Sequence, residues 1–283
     1  MVSTSELKQL LSLVQYRERL SYTEGLDPFR DLLETDDGPV LQFLLREMPT
    51  LSGQRRGGIA FVLAEHYRKK DDVAGLRRIY ALDGPEVKES VLDALGSNPG
   101  ASSDMGSVII ELALDGTKSI APGVRTVACR VIQDQCGWDV DVSTADTPLL
   151  KLLRDKTPGV RRQAAYAVGN LARSKYDMSK HIEALRQNTR HVDLYVREAN
   201  VWALWQLSRS KHDIAEAVPE LARLLGVDEE YDEARKKAAG ALLHHARKSA
   251  TNAADVIAHV KQVRIDPSQK ALKRFLEQLH KKK

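Results

Sequence analysis

The sequence predicts an all-α protein, a right-handed solenoid of about six to seven stacked helix pairs. Three observations predict it. Five segments recur at nearly constant spacing: VKESVLDALGS from Val87, VRTVACRVIQDQ from Val124, VRRQAAYAVGNLA from Val160, VREANVWALWQLS from Val196 and ARKKAAGALLHHA from Ala234, with starts 36–38 residues apart. Within each segment the apolar offsets 0, 4, 5, 7, 8 and 11 fall on one arc at ~100° per residue, and strand alternation is absent. Aromatic residues are only 5% of the chain while alanine recurs at the inward offsets, a mixture that lets helices approach closely. One such pair cannot bury its apolar stripe alone, whereas stacked neighbours share a continuous core.

Taken along the chain, residues 1–70 form degenerate repeats. DPFRDLLETDDGPVLQFLLREM, from Asp27, reads as helix, Gly-Pro turn and helix. GQRRGGIAFVLAEHYRK, from Gly53, reads as a long helix with no evident partner of its own. Residues 71–250 hold five regular pairs. The first helices (A) are VAGLRRIYAL, VIIELAL, PLLKLLRD, HIEALRQ and VPELARLL, and the recurrent segments are the second helices (B). Turns such as LDGPEV and RDKTPGV separate them, because Gly and Pro break helices. SNPGASSDMG and CGWDVDVSTADTP are loops between repeats, too short for domain linkers. Residues 251–283 carry capping helices near 252–264 and 268–280, then a basic tail. A single solenoid domain over 1–283 is expected.

Charge is uneven. Residues 1–150 carry 16 Lys+Arg against 23 Asp+Glu, and residues 151–283 carry 27 against 16. Opposite signs on the two halves suggest that different surfaces attract different partners. Only two cysteines, Cys129 and Cys136, are present, which excludes a disulfide scaffold and favours a reducing compartment. No run reaches the ~18 apolar residues of a membrane span. Met1 to Gln15 lacks the basic start and apolar block of a signal peptide, so a cytoplasmic location and no membrane partner are expected.

The repeat unit resembles the HEAT and HEAT-like repeats, particularly the bacterial variety, whose second helix reads V-R-x-x-A-A-x-A-L-G. VRRQAAYAVGNLA matches that pattern most fully, and VREANVWALWQLS and ARKKAAGALLHHA follow it with substitutions. The resemblance covers roughly Val73 to Arg247. It implies second helices that line a concave surface, and Asp–Arg ladders that tie repeats together. It leaves function open, since such folds bind proteins, nucleic acids or pigments, and a few are enzymes.

Two basic rows differ in meaning. Offset 1 is basic in every regular repeat, at Lys88, Arg125, Arg161, Arg197 and Arg235. It lies beside the buried arc, and Asp83, Asp115, Asp155 and Asp193 recur in the preceding turns. A structural ladder of Arg125, Arg161, Arg197 and Arg235 with Asp115 and Asp155 is expected. Offset 13 carries Arg173, Arg209 and Arg247, with Gly100 and Gly137 in earlier repeats, and points away from the core. Offsets 6 and 9 add Arg130, Tyr166, Trp202 and Trp205. The expected binding surface is therefore Tyr166, Trp202 and Trp205, rimmed by Arg130, Arg162, Arg173 and Arg209. Aromatic and arginine side chains dominate interface hot spots. The bland alternative is that the tryptophans fill gaps between neighbouring helices and the arginines cap helix ends in solvent.

Catalytic signatures are lacking. No phosphate loop, dinucleotide fingerprint or nucleophile elbow occurs. His244 and His245 are adjacent and so point about 100° apart, unsuited to one metal. Neither a metal nor a cofactor is expected, and Cys129 is expected to be a buried thiol. One enzymatic resemblance survives, to HEAT-like glycosylases acting on alkylated bases: Trp138-Asp139-Val140-Asp141-Val142-Ser143 is similar to their W-D-x-x-D-x-S, with the second aspartate one residue early. The alternative there is a polar loop capping a helix that starts near Thr147-Pro148. The leading function is a non-catalytic scaffold for a protein partner, as adaptor, assembly factor or toxin-type inhibitor. A nucleic-acid binder or glycosylase-like enzyme, using the basic second half, is the rival. A bilin lyase or chaperone-like protein is the third reading.

Overall fold

Of the 283 residues, the computed structural model describes 3–14, 26–35, 37–96, 102–138, 140–174, 176–210, 212–226, 232–264, 274–275 and 277–279. Among them are fifteen α-helices and no strand, enough for roughly seven pairs. The chain divides into two compact units, Met1–Val142 and Ser143–Lys283. None of the described helices is long and apolar enough to cross a membrane.

The first unit holds α1 (Thr4–Leu13), α2 (Asp27–Thr35), α3 (Asp37–Glu47), α4 (Gly53–Lys69), α5 (Val73–Tyr80), α6 (Pro85–Gly96), α7 (Ser103–Gly116) and α8 (Pro122–Cys136). A capping box opens α1: the Glu6 amide donates to the Ser3 hydroxyl at 3.3 Å, and the Ser3 amide donates to the Glu6 carboxylate at 2.7 Å. Ser102 caps α7 by accepting from the Met105 amide at 3.1 Å. In the α5–α6 turn Gly84 takes φ +116°, a conformation that an L side chain resists. The recurrent segments from Val87 and Val124 form α6 and α8, which pack side by side. The long helix without an evident partner, α4, packs along α6 and so extends the same row. Arg30 of α2 donates to Glu65 of α4 at 2.7 Å. Ile59, Leu63, Val91, Leu95, Val131 and Ile132 build the core, and Cys129 and Cys136 are both buried.

The second unit holds α9 (Asp146–Leu152), α10 (Pro158–Arg173), α11 (Ile182–Asn188), α12 (Leu194–Arg209), α13 (Val218–Arg223), α14 (Asp232–Ala246) and α15 (Ala250–Val260). Its row of B helices is α10, α12 and α14, each packed on the next. Every A helix here follows a single 3-10 turn, at Ser143–Ala145, Ser179–His181 and Ala215–Ala217. Two of these turns are opened by aspartate: Asp177 accepts from the Ser179 amide and Asp213 from the Ala215 amide, both at 3.0 Å. The expected capping loop before α9 behaves otherwise. Its N-cap residue is Ala145 and no side chain bonds there. Toward the C-terminal end α15 packs on α13 and α14 and buries Val256 and Val260. Most of the second expected cap, the lysine tail, Gly100 and Asp139 lie outside the described residues.

The offset-1 residues act within the fold, with a broader choice of acceptor than the sequence suggests. Lys88 pairs with Asp115 at 3.0 Å, joining α6 to the end of α7. Arg161 stands in the same relation to Asn188, 27 residues on, and donates to its Oδ1 at 3.2 Å and to the Asp155 carbonyl. Arg125 donates to the carbonyls of Ser119 and Ile120 at 2.8 and 2.9 Å. Arg197 donates to those of His191 and Val192 at 3.1 Å. Arg235 lies 3.7 Å from Asp232. Main-chain carbonyls thus share the part expected of the turn carboxylates. The Asp155 side chain also accepts from the Thr157 amide at 2.9 Å. A guanidinium pinned to the last carbonyls of a turn satisfies acceptors that the breaks between A and B helices would otherwise orphan.

Candidate binding surface

Tyr166, Trp202 and Trp205 lie on the B row of the second unit, where all three are half-buried. Tyr166 and Trp202 meet edge to face, with ring centroids 5.4 Å apart and planes at 68°. Each indole also rests on a glycine of a neighbouring helix. A β-carbon on Gly169 of α10 would come within 2.4 Å of Trp202, and one on Gly240 of α14 within 2.9 Å of Trp205. Part of each tryptophan therefore fills the space between helices, and part stays in solvent. The two readings of the sequence, gap-filler and contact residue, apply to different portions of the same side chains.

A polar clamp that the sequence did not suggest holds this row. Glu198 of α12, 9% exposed, accepts from the Tyr166 hydroxyl of α10 at 2.8 Å and from the Lys237 ammonium of α14. One carboxylate thereby ties three successive B helices together. At offset 2 glutamate looks like an ordinary surface residue. The signal that could have singled it out is its flanking, one repeat on either side, by a tyrosine and a lysine.

The arginines separate into two groups. Arg209 lies over the Trp205 ring, 5.0 Å from its centroid, a cation–π stack that orients the guanidinium. Arg173 and Arg209 end α10 and α12 and line one cavity, and Arg162 is exposed near the start of α10. Arg130 belongs to the first unit. It pairs there with Asp93, amid Glu89 and Asp134. Burial raises the affinity of all three carboxyls for protons, pushing Asp134 up to about 6. Arg130 thus has its charge matched by acidic neighbours. Trp138 and Asp141 are exposed in the loop after α8.

The A helices carry a separate charge cluster. Glu220 is buried on α13 and receives Arg190 at 2.8 Å and Arg223 at 3.0 Å, with Arg186 at 3.9 Å. The Arg190 hydrogen bond leads the causes that hold its carboxyl below the usual range. The buried Asn188 side chain donates to the Leu153 carbonyl at 2.7 Å and to Asn200 at 3.3 Å. These contacts tie A helices to each other and to the B row.

The HEAT repeat family matches residues 147–174, the stretch from α9 through α10. No curated protein matches the chain. Among solved structures, an engineered protein from the Northeast Structural Genomics Consortium is similar over 90% of this chain and 71% of its own, with 18% identity and a TM-score of 0.59. A designed armadillo repeat protein is similar over 71% of this chain and 98% of its own, with 16% identity and a TM-score of 0.54. A second, solved in complex with the peptide (KR)4, covers 77% of this chain and 98% of its own, at 17% identity and a TM-score of 0.54. At such identities the likeness establishes the fold. Repeat period, helix pairing, family match and structural neighbours agree: the chain is a HEAT-like repeat protein.

Proposed function

We propose that this protein is a non-catalytic scaffold whose B-helix face in the second unit binds a protein partner. The supporting observation is the row Tyr166, Trp202 and Trp205, half-exposed, with Tyr166 held by the Glu198 clamp and the two indoles seated against Gly169 and Gly240. Side chains fixed in this way lose little further freedom on binding, which lowers the entropic cost of association. Arg162, Arg173 and Arg209 supply charge at the rim, where arginine can pair with carboxylates. Adaptor, assembly factor and toxin-type inhibitor all suit such a surface. The two cysteines, both buried, accord with a reducing, cytoplasmic setting.

The test is the affinity of Trp202→Ala and Trp205→Ala for the partner recovered with the full-length chain, at two salt concentrations. Loss of about tenfold or more in folded variants supports the surface, since a hot-spot truncation costs more than ~1 kcal/mol. Wild-type affinity in both variants sinks it. A ligand that proves to be DNA or RNA, with steep salt dependence, replaces the protein reading with the nucleic-acid one.

A further inference from the structure

The C-terminal ends of α10 and α12 and the loops that follow them line a cavity of about 690 Å³ beside the aromatic row. Its size is in the range of ligand pockets, ~300–1,000 Å³. Arg173, Arg209, Tyr176, Asp177, His212 and Asp213 are among its walls.

The two cations are available. Arg173 has no hydrogen-bond or ion-pair partner among the described residues, and the Trp205 ring holds Arg209 without engaging its N–H donors. The carboxylates face other tasks. Asp177 accepts from the amide and hydroxyl of Ser179 at 3.0 and 2.7 Å, and Asp213 accepts from the Ala215 amide. His212 accepts from the Met178 amide at 2.9 Å, which requires an unprotonated Nε2, and burial lowers its proton affinity further. The cavity therefore offers two open guanidinium forks on a wall whose two aspartates match their formal charge.

That balance selects among anions. A dense polyanion would bring several charges toward Asp177 and Asp213. Isolated carboxylates, one for each arginine, avoid this and match the planar fork with two parallel hydrogen bonds. Neighbouring packed helices lie ~8–10 Å apart. An extended peptide rises ~3.3 Å per residue and shows every second side chain on one face, so acidic side chains two residues apart lie ~6.6 Å apart on the same side, a span that two long arginines on neighbouring helices can meet.

We propose that this cavity seats an acidic peptide segment of the partner, with one carboxylate on Arg173 and a second, two residues along, on Arg209. The proposal rests on the reading of the second unit as a protein-binding surface and names the chemistry of what it binds.

The experiment uses the full-length chain and a fluorescent, N-acetylated decapeptide of alternating Glu and Ser, with a Gln–Ser control. The Glu peptide is expected to bind and the control to fail. Arg173→Gln and Arg209→Gln should each weaken binding by about tenfold, the scale of one lost charge-assisted hydrogen bond. Arg209→Lys, which keeps charge but loses the fork, should weaken it by a smaller factor. Unchanged affinity in both glutamine variants with unchanged melting temperature overturns the proposal. So does displacement of the peptide by inorganic phosphate or a single-stranded oligonucleotide at lower concentration than unlabelled peptide. The two readings fail separately. If the recovered partner needs Trp202 and Trp205 but neither arginine, the peptide seat falls and the aromatic surface stands. If the Glu peptide needs both arginines while the partner ignores both tryptophans, the surface falls and the seat stands.

Discussion

Acid should weaken the second unit through His181. Its side chain is 0% exposed, in the 3-10 turn before α11, with Nε2 3.0 Å from the Asp146 carbonyl. Burial is the largest influence on it and lowers its pKa from 6.5 to about 4. The sign follows. Above pH ~6.5 the ring is neutral whether the chain is folded or not, and it contributes no pH dependence. Between ~6.5 and about 4 the unfolded chain takes up a proton that the folded chain refuses, so stability falls with pH. Below about 4 both states are protonated and the loss is complete. A difference of about 2.5 between the two values, at ~1.4 kcal/mol each, gives a loss on the order of 3 kcal/mol. The assay is urea unfolding followed by tryptophan fluorescence from pH 7 to 4, comparing wild type with His181→Gln. Two of the three tryptophans, Trp202 and Trp205, belong to the unit concerned. Glutamine keeps a donor and removes the titration. The variant should therefore gain on wild type by about 3 kcal/mol as pH falls across this window. A difference independent of pH refutes the reasoning. A difference of opposite sign would mean that the imidazolium finds Asp146, whose carboxylate is 3.6 Å away, and is stabilised by it.

Three further outcomes are expected. Gly169→Ala forces a β-carbon within 2.4 Å of Trp202 and should cost about 1–3 kcal/mol by thermal unfolding, with altered fluorescence marking the displaced indole. Arg161→Ala removes the donors that reach the Asp155 carbonyl and Asn188 and should cost on the order of 1.5–3 kcal/mol while leaving partner affinity intact; unchanged melting with lost binding would reverse that assignment. Tyr166→Phe deletes one hydrogen bond to Glu198 and should cost about 1 kcal/mol, and the loss should largely vanish in a Glu198→Leu, Lys237→Met background, which removes the acceptor, if the clamp acts as one network.

The B helices could be read from the sequence because their apolar offsets repeat at a fixed period and each is buried by its equivalents. The A helices are legible from their apolar segments, but their lengths are not: they run from six residues in α13 to fourteen in α7, and only those of the second unit follow a 3-10 turn. Surface roles were harder to assign. An offset angle places Trp202 and Trp205 on a single isolated helix, but burial depends on what stands opposite. Gly169 and Gly240 leave room there, and nothing within the α12 segment records it. Glu198 is not legible in the sequence for the same reason, because its partners lie 32 residues before it and 39 after. Arg130 showed its offset but not its pairing with Asp93, 37 residues earlier. In each case the deciding contact runs between repeats, and comparing equivalent positions within single helices does not expose it.

The tryptophan–glycine contacts also give the repeats an order. Trp202, at offset 6, enters the space left by Gly169 at offset 9 of the preceding B helix. Trp205, at offset 9, enters the space left by Gly240 at offset 6 of the following one. The helix α12 is thus keyed on both edges, and each key has its own lock. An array of interchangeable modules could lose, gain or exchange a unit and still close its core. Here, deleting the module of α12 would leave two glycines facing each other across a void, and duplicating it would set tryptophan against tryptophan. The 36-residue period invites recombination, while these two contacts fix which neighbour each module can accept.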